Sequence, residues 1–236
     1  MAIPGHVLSA FQVEGTSLVE LGAAWDFGAR YDRVVVSAAT ATSAWSAKVR
    51  ERFTSPGVLV ARPVRATDGR VVVGGFRASE FIQGDTAARA DEAVAAALAF
   101  DAAMAGVDAP TVERTDVWAE ADRAVWDAVP TPGPVSVAHL DFFACCLFSG
   151  TLPPALTDIV PSAEPRPRGY TAALTLVDAL LNEAVDERIV SRWAHIPDLQ
   201  ALALRACEFR ELTGASTRGQ SNASANFERV RALLSI

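Results

Sequence analysis

A segment in the second half of the chain reads His139-Leu140-Asp141-Phe142-Phe143-Ala144-Cys145-Cys146-Leu147-Phe148. Two polar side chains, His139 and Asp141, stand at its start, and an apolar run typical of a β-strand follows them. The same two residues interrupt the best candidate for a membrane-spanning stretch, which falls short of the roughly 20 apolar residues that such a helix needs. We therefore expect no membrane partner, and the polar pair is the first candidate for a functional site.

The composition is that of a folded globular protein. The chain has 236 residues, of which 50% are hydrophobic and 21% are charged, so it can bury a core as one large domain or as two lobes. The formal net charge is −7, and no cluster of Lys or Arg marks a basic surface. We therefore expect no nucleic-acid partner, since such a partner requires clustered cations.

Cysteine usage and the start of the chain bear on the cellular compartment. The three cysteines are Cys145, Cys146 and Cys207, an odd number that does not describe the disulfide framework of a secreted protein. Adjacent side chains on a strand face opposite sides, so we expect the first two to be buried small hydrophobes and not a redox or metal pair. The first residues lack the cationic and apolar regions of a signal peptide, which predicts a cytoplasmic protein.

The first third of the chain predicts several strands and one helix. Runs rich in Val, Leu and Phe predict strands at 16–21, 33–36, 58–64 and 70–76. The turn residues at 66–69, Ala-Thr-Asp-Gly, predict a hairpin between the last two of these runs. Residues 42–53 are expected to form a helix that ends before Pro56 and Gly57.

After residue 83 the pattern becomes helical. Asp85 or Thr86 is the predicted N-cap of an Ala-rich helix that ends at Gly106. Further helices are predicted at 116–127, 170–186, 198–213 and 224–235. The whole chain is therefore predicted to be an α+β protein with a β-rich lobe at 1–83 and a larger, mostly helical lobe at 84–236.

Four segments and their order suggest a family. They are Leu21–Gly28, Ala61–Arg65, His139–Phe148 and Pro153–Asp158. With a hinge-like segment at 77–84, this order resembles the aminoglycoside phosphotransferase and choline kinase group of the protein-kinase-like fold, and is most similar to an uncharacterised actinobacterial branch of it. The resemblance implies a two-lobed fold and, for an active member, ATP and Mg²⁺ as cofactors.

The resemblance also implies roles for individual residues. Asp141 matches the aspartate that takes the proton of the acceptor hydroxyl, and His139 matches the histidine that braces its loop. Asp158 matches the aspartate that holds Mg²⁺ against the nucleotide phosphates. Contacts with the nucleotide are implied for the strand position Ser37 and for the hinge residues Glu80, Phe81 and Ile82.

Several positions depart from the family pattern. Ser37 stands where the family has a phosphate-binding lysine, and the only lysine of the chain, Lys48, lies on the predicted helix 42–53. Leu140 replaces a glycine, and the expected metal-binding asparagine falls on Cys145 or Cys146. Arg30, Arg33 and Arg77 are the cations that could supply the missing charge, although a guanidinium does not reproduce the position of an ammonium.

The glycine-rich turn departs from the pattern as well. Gly22 and Gly28 flank Trp25, Asp26 and Phe27, which are bulkier and more acidic than a phosphate-binding turn usually is. Trp25 and Phe27 either crowd the approach of a phosphate to the backbone amides or point inward and cap the sheet. The sequence leaves both alternatives open.

Three functions follow from these observations. The first is a degenerate, kinase-like protein (a pseudokinase) that is impaired in phosphoryl transfer and acts by binding an unknown protein or small molecule. The second is an active ATP- and Mg²⁺-dependent phosphotransferase that acts on a small hydroxylated molecule. The third is a structural or interaction domain without a ligand in its cleft.

The losses favour the first function. Without the lysine and the asparagine, less of the charge in the transition state is neutralised. The rate of phosphoryl transfer should therefore be lower by orders of magnitude. Asp141 and Asp158 are then either a remaining catalytic and metal-binding pair or acceptors for backbone amides. His139, among apolar neighbours, is expected to be a satisfied core histidine and not a general base.

Overall fold

A computed structural model describes residues 3–127, 129–131, 133–214 and 223–235. The chain forms two compact units. The first unit comprises the chain up to Thr86 together with Ala144–Val160, and the second comprises Ala87–Phe143 and the chain from Pro161 onward. The boundary predicted after residue 83 stays a prediction, because compactness alone does not show which parts fold as domains.

The described residues contain short strands and helices in a mixed order. The strands are β1 (Leu18–Glu20), β2 (Ala29–Tyr31), β3 (Val34–Ala38), β4 (Leu59–Val60), β5 (Pro63–Val64), β6 (Val72–Val73), β7 (Phe76–Glu80), β8 (Val135–Ser136), β9 (Cys146–Leu147), β10 (Ala155–Leu156) and β11 (Arg166–Pro167). The helices are α1 (Gly5–Ala10), α2 (Ser43–Arg52), α3 (Ala90–Ala103), α4 (Val117–Trp126), α5 (Phe142–Cys145), α6 (Tyr170–Leu181), α7 (Ile189–Arg192), α8 (Leu199–Thr213) and α9 (Ala223–Leu234), with a 3₁₀ turn at Ala23–Trp25. The architecture is α+β, as predicted.

The main sheet of the first unit is antiparallel, in the order β1-β2-β3-β7-β5, with β6 also paired to β7. Side chains alternate between its two faces. Val36 packs with Val7 of α1 and with Phe11 on one face, whereas Val35 packs with Trp25 and Leu147 on the other. Ser37 shares the second face, because it lies two residues from Val35.

A smaller sheet in the first unit ends close to Asp158, the predicted metal ligand. Strand β10 pairs parallel to β4 and antiparallel to β9. Asp158 follows β10 by two residues. Of the apolar run predicted as a strand after Asp141, only Cys146–Leu147 forms one (β9), whereas Phe142–Cys145 forms the short helix α5.

The predicted hairpin between 58–64 and 70–76 is wrong in its pairing. The turn at 66–69 exists, since the Gly69 amide donates to the Ala66 carbonyl over 2.8 Å, but Val64 pairs with Ala78 of β7. The hairpin forms instead between β6 and β7 around Gly74 and Gly75. Both glycines have positive φ, 57° and 81°, which a two-residue hairpin turn demands.

The N-terminal end of α4 lies close to its predicted position, whereas that of α3 does not. Helix α4, predicted at 116–127, spans Val117–Trp126, and the Asp116 side chain caps it by accepting the Ala119 amide. Helix α3 begins at Ala90 and not at Asp85 or Thr86. Asp85 is unavailable as a cap because its backbone exchanges two hydrogen bonds with Phe148, at 3.1 and 2.9 Å.

Helices dominate the second unit. Every residue of α6 is buried, and α3, α8 and α9 pack against it. Within the described part of the chain, no helix combines the length and the apolar character needed to cross a lipid bilayer.

Candidate functional site

Asp158 lies at the centre of a buried network of charges in the first unit. The Ser46 hydroxyl donates to its carboxylate over 2.6 Å, and the Arg50 Nε lies 3.4 Å from the same oxygen. The Arg77 guanidinium contacts the other carboxylate oxygen. Burial raises the pKa of Asp158, but the two guanidinium groups and the Ser46 hydroxyl outweigh that effect and leave the pKa below its ordinary value.

Arg77 contacts the Asp158 carboxylate from β7, the strand that pairs with the strand of Ser37, β3. The two residues are direct partners between β3 and β7, so their side chains lie on the same face of the sheet. Arg77 is only 5% exposed and contacts the carboxylates of both Asp158 and Asp26. Burial lowers the pKa of Arg77, but the two carboxylates raise it more. The guanidinium is therefore a permanent cation at this place.

Arg50 joins α2 to the network, and the sequence reasoning missed it. Its guanidinium donates to the Ala61 carbonyl over 2.7 Å and to the Ser79 hydroxyl over 2.9 Å. Ser46 and Arg50 are four residues apart and share one helix face, whereas Lys48 lies on an exposed face. The local sign of this pair is its spacing, since residues four apart lie on the same face of a helix.

Little space remains beside Asp158. The cavity has a volume of about 10 Å³, about enough for one water molecule. Its lining combines the charged network with the turn and the sheet: Trp25, Asp26, Val35, Ser37, Arg77, Ser79, Thr157 and Asp158.

The residues present do not fit a magnesium ion at this place. Mg²⁺ requires an octahedral set of oxygen ligands at about 2.0–2.1 Å. Both carboxylate oxygens of Asp158 already contact donors, one the Arg50 guanidinium and the other the Arg77 guanidinium. Among the described residues, no group of three or more His, Cys, Asp or Glu side chains is placed to hold a metal ion.

The turn between Gly22 and Gly28, which the resemblance matches to a phosphate-binding loop, has its amides occupied. The Trp25 and Phe27 amides donate to the Gly22 carbonyl, each over 3.1 Å, and the Asp26 and Gly28 amides donate within the turn over 2.9 Å. A phosphate-binding loop presents such amides to its ligand. These four are used internally, so the turn does not offer them to an anion.

Trp25 and Phe27 take opposite orientations, which separates the two alternatives that the sequence left open. Trp25 is 8% exposed and stacks on Phe81, with 5.7 Å between ring centroids. Phe27 is 68% exposed. Trp25 therefore fills the space beside the hinge-like segment, where it packs with Val35 and Ala61.

The predicted hinge residues are bonded into the sheet. The Phe81 amide donates to the Arg33 carbonyl over 2.7 Å, and the Glu80 amide donates to the Arg62 carbonyl over 2.8 Å. Ile82 packs on the Trp25 cluster. The nucleotide-binding role of these residues and of Ser37 stays a prediction.

His139 and Asp141 lie in the second unit. His139 is fully buried, and its ring lies 5.5 Å from the rings of Phe100 and Phe142. The Asp141 amide donates to His139 Nδ1 over 3.1 Å, a contact compatible with a brace for the loop. Catalytic and metal-binding roles for Asp141 and Asp158 stay predictions.

Arg210 of α8 holds this loop in place, and no local sequence pattern indicates this role. Its Nη2 lies 3.7 Å from the Asp141 carboxylate and donates to the Leu140 carbonyl over 2.8 Å. Arg210 is also paired with the carboxylate of Asp178 on α6. The side chain of Asp141 is 29% exposed, so the carboxylate is held without being buried.

Comparisons with known proteins support the fold. No family model matches the sequence, and no curated protein matches it. The structure is similar to an aminoglycoside phosphotransferase from Alicyclobacillus acidocaldarius subsp. acidocaldarius, with a TM-score of 0.62 and 14% identity over 100% of this chain and 92% of that one. An actinobacterial origin stays a prediction. The α+β fold of this chain is similar to that of a small-molecule phosphotransferase.

Proposed function

We propose that this chain is a degenerate, kinase-like protein that does not bind MgATP and acts by binding a ligand or a partner. Its first unit corresponds to the nucleotide-binding lobe of the phosphotransferases, and its second unit to the lobe that carries the catalytic loop. One observation carries the proposal: the carboxylate of Asp158 is held between Arg77 and Arg50.

The charges of this network disfavour a metal ion. Two unit charges 4 Å apart interact by about 4 kcal/mol near a protein surface, and a divalent ion doubles that value. Magnesium at Asp158 would meet this repulsion from Arg77 and Arg50, whose guanidinium groups already contact the carboxylate. The guanidinium groups thus neutralise the carboxylate in place of the metal.

The aromatic cluster disfavours the nucleotide base. A nucleotide needs a pocket of several hundred Å³ lined by apolar side chains. Within the first unit, Trp25 stacks on Phe81 and packs against Val35 and Leu147. The apolar surface beside the hinge-like segment is therefore covered by the chain itself.

One observation favours a slow phosphotransferase as the second candidate. Asp141 remains partly exposed, and His139 and Arg210 hold its loop, which supports a role for its carboxylate as the base that takes the hydroxyl proton. Phosphoryl transfer nevertheless depends mainly on positioned metal and cationic charge around the phosphates. A catalytic base without positive charge around the phosphates contributes only a small part of the rate enhancement of phosphoryl transfer.

A thermal-shift titration with ATP, with and without Mg²⁺, tests the proposal. A ligand at 100 times its Kd stabilises the native state by about 2.7 kcal/mol, which raises the Tm of a chain of this size by roughly 5–11 °C. We expect no Mg²⁺-dependent shift for the wild type. A shift that requires Mg²⁺ would overturn the proposal and favour the phosphotransferase.

A further inference from the structure

A cleft in the second unit lies between α7, the start of α8 and the end of α9. Its volume is about 640 Å³, which is within the range of sites that bind small molecules. Ile196 and Leu199 form its floor and are each 4% exposed. The apolar part of its lining comes from these helices and from the turn between α7 and α8: Val190, Ala194, Ile196, Leu199, Ala201 and Leu233.

The cleft is separate from the loop of His139 and Asp141. Helix α8 begins at Leu199, which lines the cleft. Arg210, which contacts the Asp141 carboxylate, lies about three turns further along the same helix, or roughly 16 Å at a rise of about 1.5 Å per residue. A molecule in the cleft is therefore at the opposite end of α8 from Asp141. The acceptor site that the resemblance implies must present a hydroxyl to Asp141, so it is a different place.

Asp198 places a carboxylate at the edge of this cleft. It is the residue before α8, but its side chain does not cap the helix. The residue is exposed, and its carboxylate makes no hydrogen bond or ion pair with the part of the chain that the structure describes. Its φ of 55° is left-handed, a conformation that aspartate tolerates. The carboxylate is therefore available to a ligand.

The charges that line the cleft favour a cation. None of the described residues in its lining is a Lys, Arg or His. Glu187, the second carboxylate of the lining, is already paired with Arg229 over 3.4 Å. The N-terminal end of α8 contributes roughly half a positive charge, which the full negative charge of Asp198 exceeds. An apolar wall with one unpaired carboxylate matches a molecule that has an apolar body and one positive group.

We propose that this cleft binds a small alkyl- or arylamine. The apolar body of the amine lies on Ile196 and Leu199, and its ammonium group pairs with Asp198. The site goes beyond the proposed function, because neither Asp141 nor Asp158 lines the cleft. The ligand needs no hydroxyl group, so it is not an acceptor of a phosphoryl group.

Three probes of similar shape and different charge test this site: phenylbutylamine, phenylbutanol and phenylbutyrate. At about pH 7 they are positive, neutral and negative. An NMR titration that observes the amides of the full chain measures each Kd and locates the site. Low ionic strength is needed, because salt screens an exposed ion pair. We expect the amine to bind at least about threefold more tightly than the alcohol and the acid to bind most weakly. The shifts should lie around Ile196 and Leu199 and not around Asp141.

Two variants separate the charge from the apolar wall. Asp198→Asn removes the charge and suits the left-handed conformation, which asparagine tolerates. It should remove the advantage of the amine over the alcohol. Glu208→Gln is the matched control and should keep that advantage, because Glu208 is exposed on the same helix and does not line the cleft. Ala194→Phe, at an exposed position of the lining, should weaken all three probes because the ring fills the cleft.

Asp198→Gly replaces Asp198→Asn if the latter does not melt cooperatively, since glycine adopts positive φ without strain. Three results would overturn the inference: an amine that binds no more tightly than the alcohol, an advantage that survives the loss of the Asp198 carboxylate, and shifts centred on Asp141. The proposed function fails on a different result, Mg²⁺-dependent stabilisation of the wild type by ATP, so the two failures are distinguishable.

Discussion

Arg77 is the cross-strand partner of Ser37, and its guanidinium contacts the carboxylate of Asp158. The resemblance implies a lysine at position 37 that would contact phosphates. In this chain the cation comes from the neighbouring strand and is paired with a carboxylate of the protein. Where the resemblance implies a lysine, this chain therefore has an ion pair between Arg77 and Asp158.

Replacement of Asp158 by alanine should strongly destabilise the protein. The substitution leaves Arg77 and Arg50 buried without their shared carboxylate, and loss of one partner of a buried ion pair costs about 3–5 kcal/mol. Urea-induced unfolding at neutral pH measures the change. Asp68→Ala, at an exposed pair, should cost less than about 1 kcal/mol. An Asp158→Ala protein as stable as the wild type would show that the carboxylate does not stabilise the fold.

Trp25→Ala should remove a large part of the packing beside the hinge-like segment. Truncation of a buried tryptophan typically costs about 3–5 kcal/mol in the free energy of unfolding. Phe27→Ala, two residues away but 68% exposed, should change it by no more than about 0.5 kcal/mol. Urea denaturation of both variants measures the free energies of unfolding. Equal losses would contradict the finding that Trp25 points inward and Phe27 does not.

Gly28→Ala should destabilise the turn against β3. A Cβ at Gly28 would lie 2.9 Å from the Val36 carbonyl oxygen and 2.9 Å from the Ser37 Cβ, and such overpacking costs about 1–3 kcal/mol. Gly22→Ala is the control at the other end of the turn, where a Cβ meets nothing within 4 Å. Thermal unfolding of both variants compares them, and a Gly28→Ala protein as stable as Gly22→Ala would refute the close approach.

Asp101 should make stability depend on pH. Burial raises its pKa to about 7, despite hydrogen bonds from Thr171 and Gly169. Because the folded state keeps a proton that the unfolded state loses above about pH 4, the free energy of unfolding should fall as pH rises from about 4 to about 7, and then level off.

Asp101→Asn should remove this part of the dependence, since the amide does not titrate. Urea denaturation of both proteins at about pH 5 and about pH 8 measures it, because most of the expected fall in the free energy of unfolding lies between these two values. The stability difference between wild type and variant should change between the two pH values. A difference that is the same at both would show that Asp101 is ionised throughout.

Local signals predicted the parts of the fold that depend on neighbouring residues. Helix α2 is predicted at 42–53 and spans Ser43–Arg52, and α4 is predicted at 116–127 and spans Val117–Trp126. The apolar run after Asp141 predicted a strand, which forms only at Cys146–Leu147, because Phe142–Cys145 form a short helix. The pairing of Val64 with Ala78 did not follow, because a turn signal at 66–69 does not specify which strand of the sheet is adjacent.

The sequence by itself determined the α+β class, the likeness to phosphotransferases and the absence of a lysine from β3, since composition, local pattern and motif order are all readable along the chain. Only the tertiary structure decided what Asp158 contacts. Its partners Ser46, Arg50 and Arg77 lie on a helix and a strand far away in the sequence. A buried ion pair depends on which side chains the fold brings within about 4 Å, and that proximity exists only after the chain has folded.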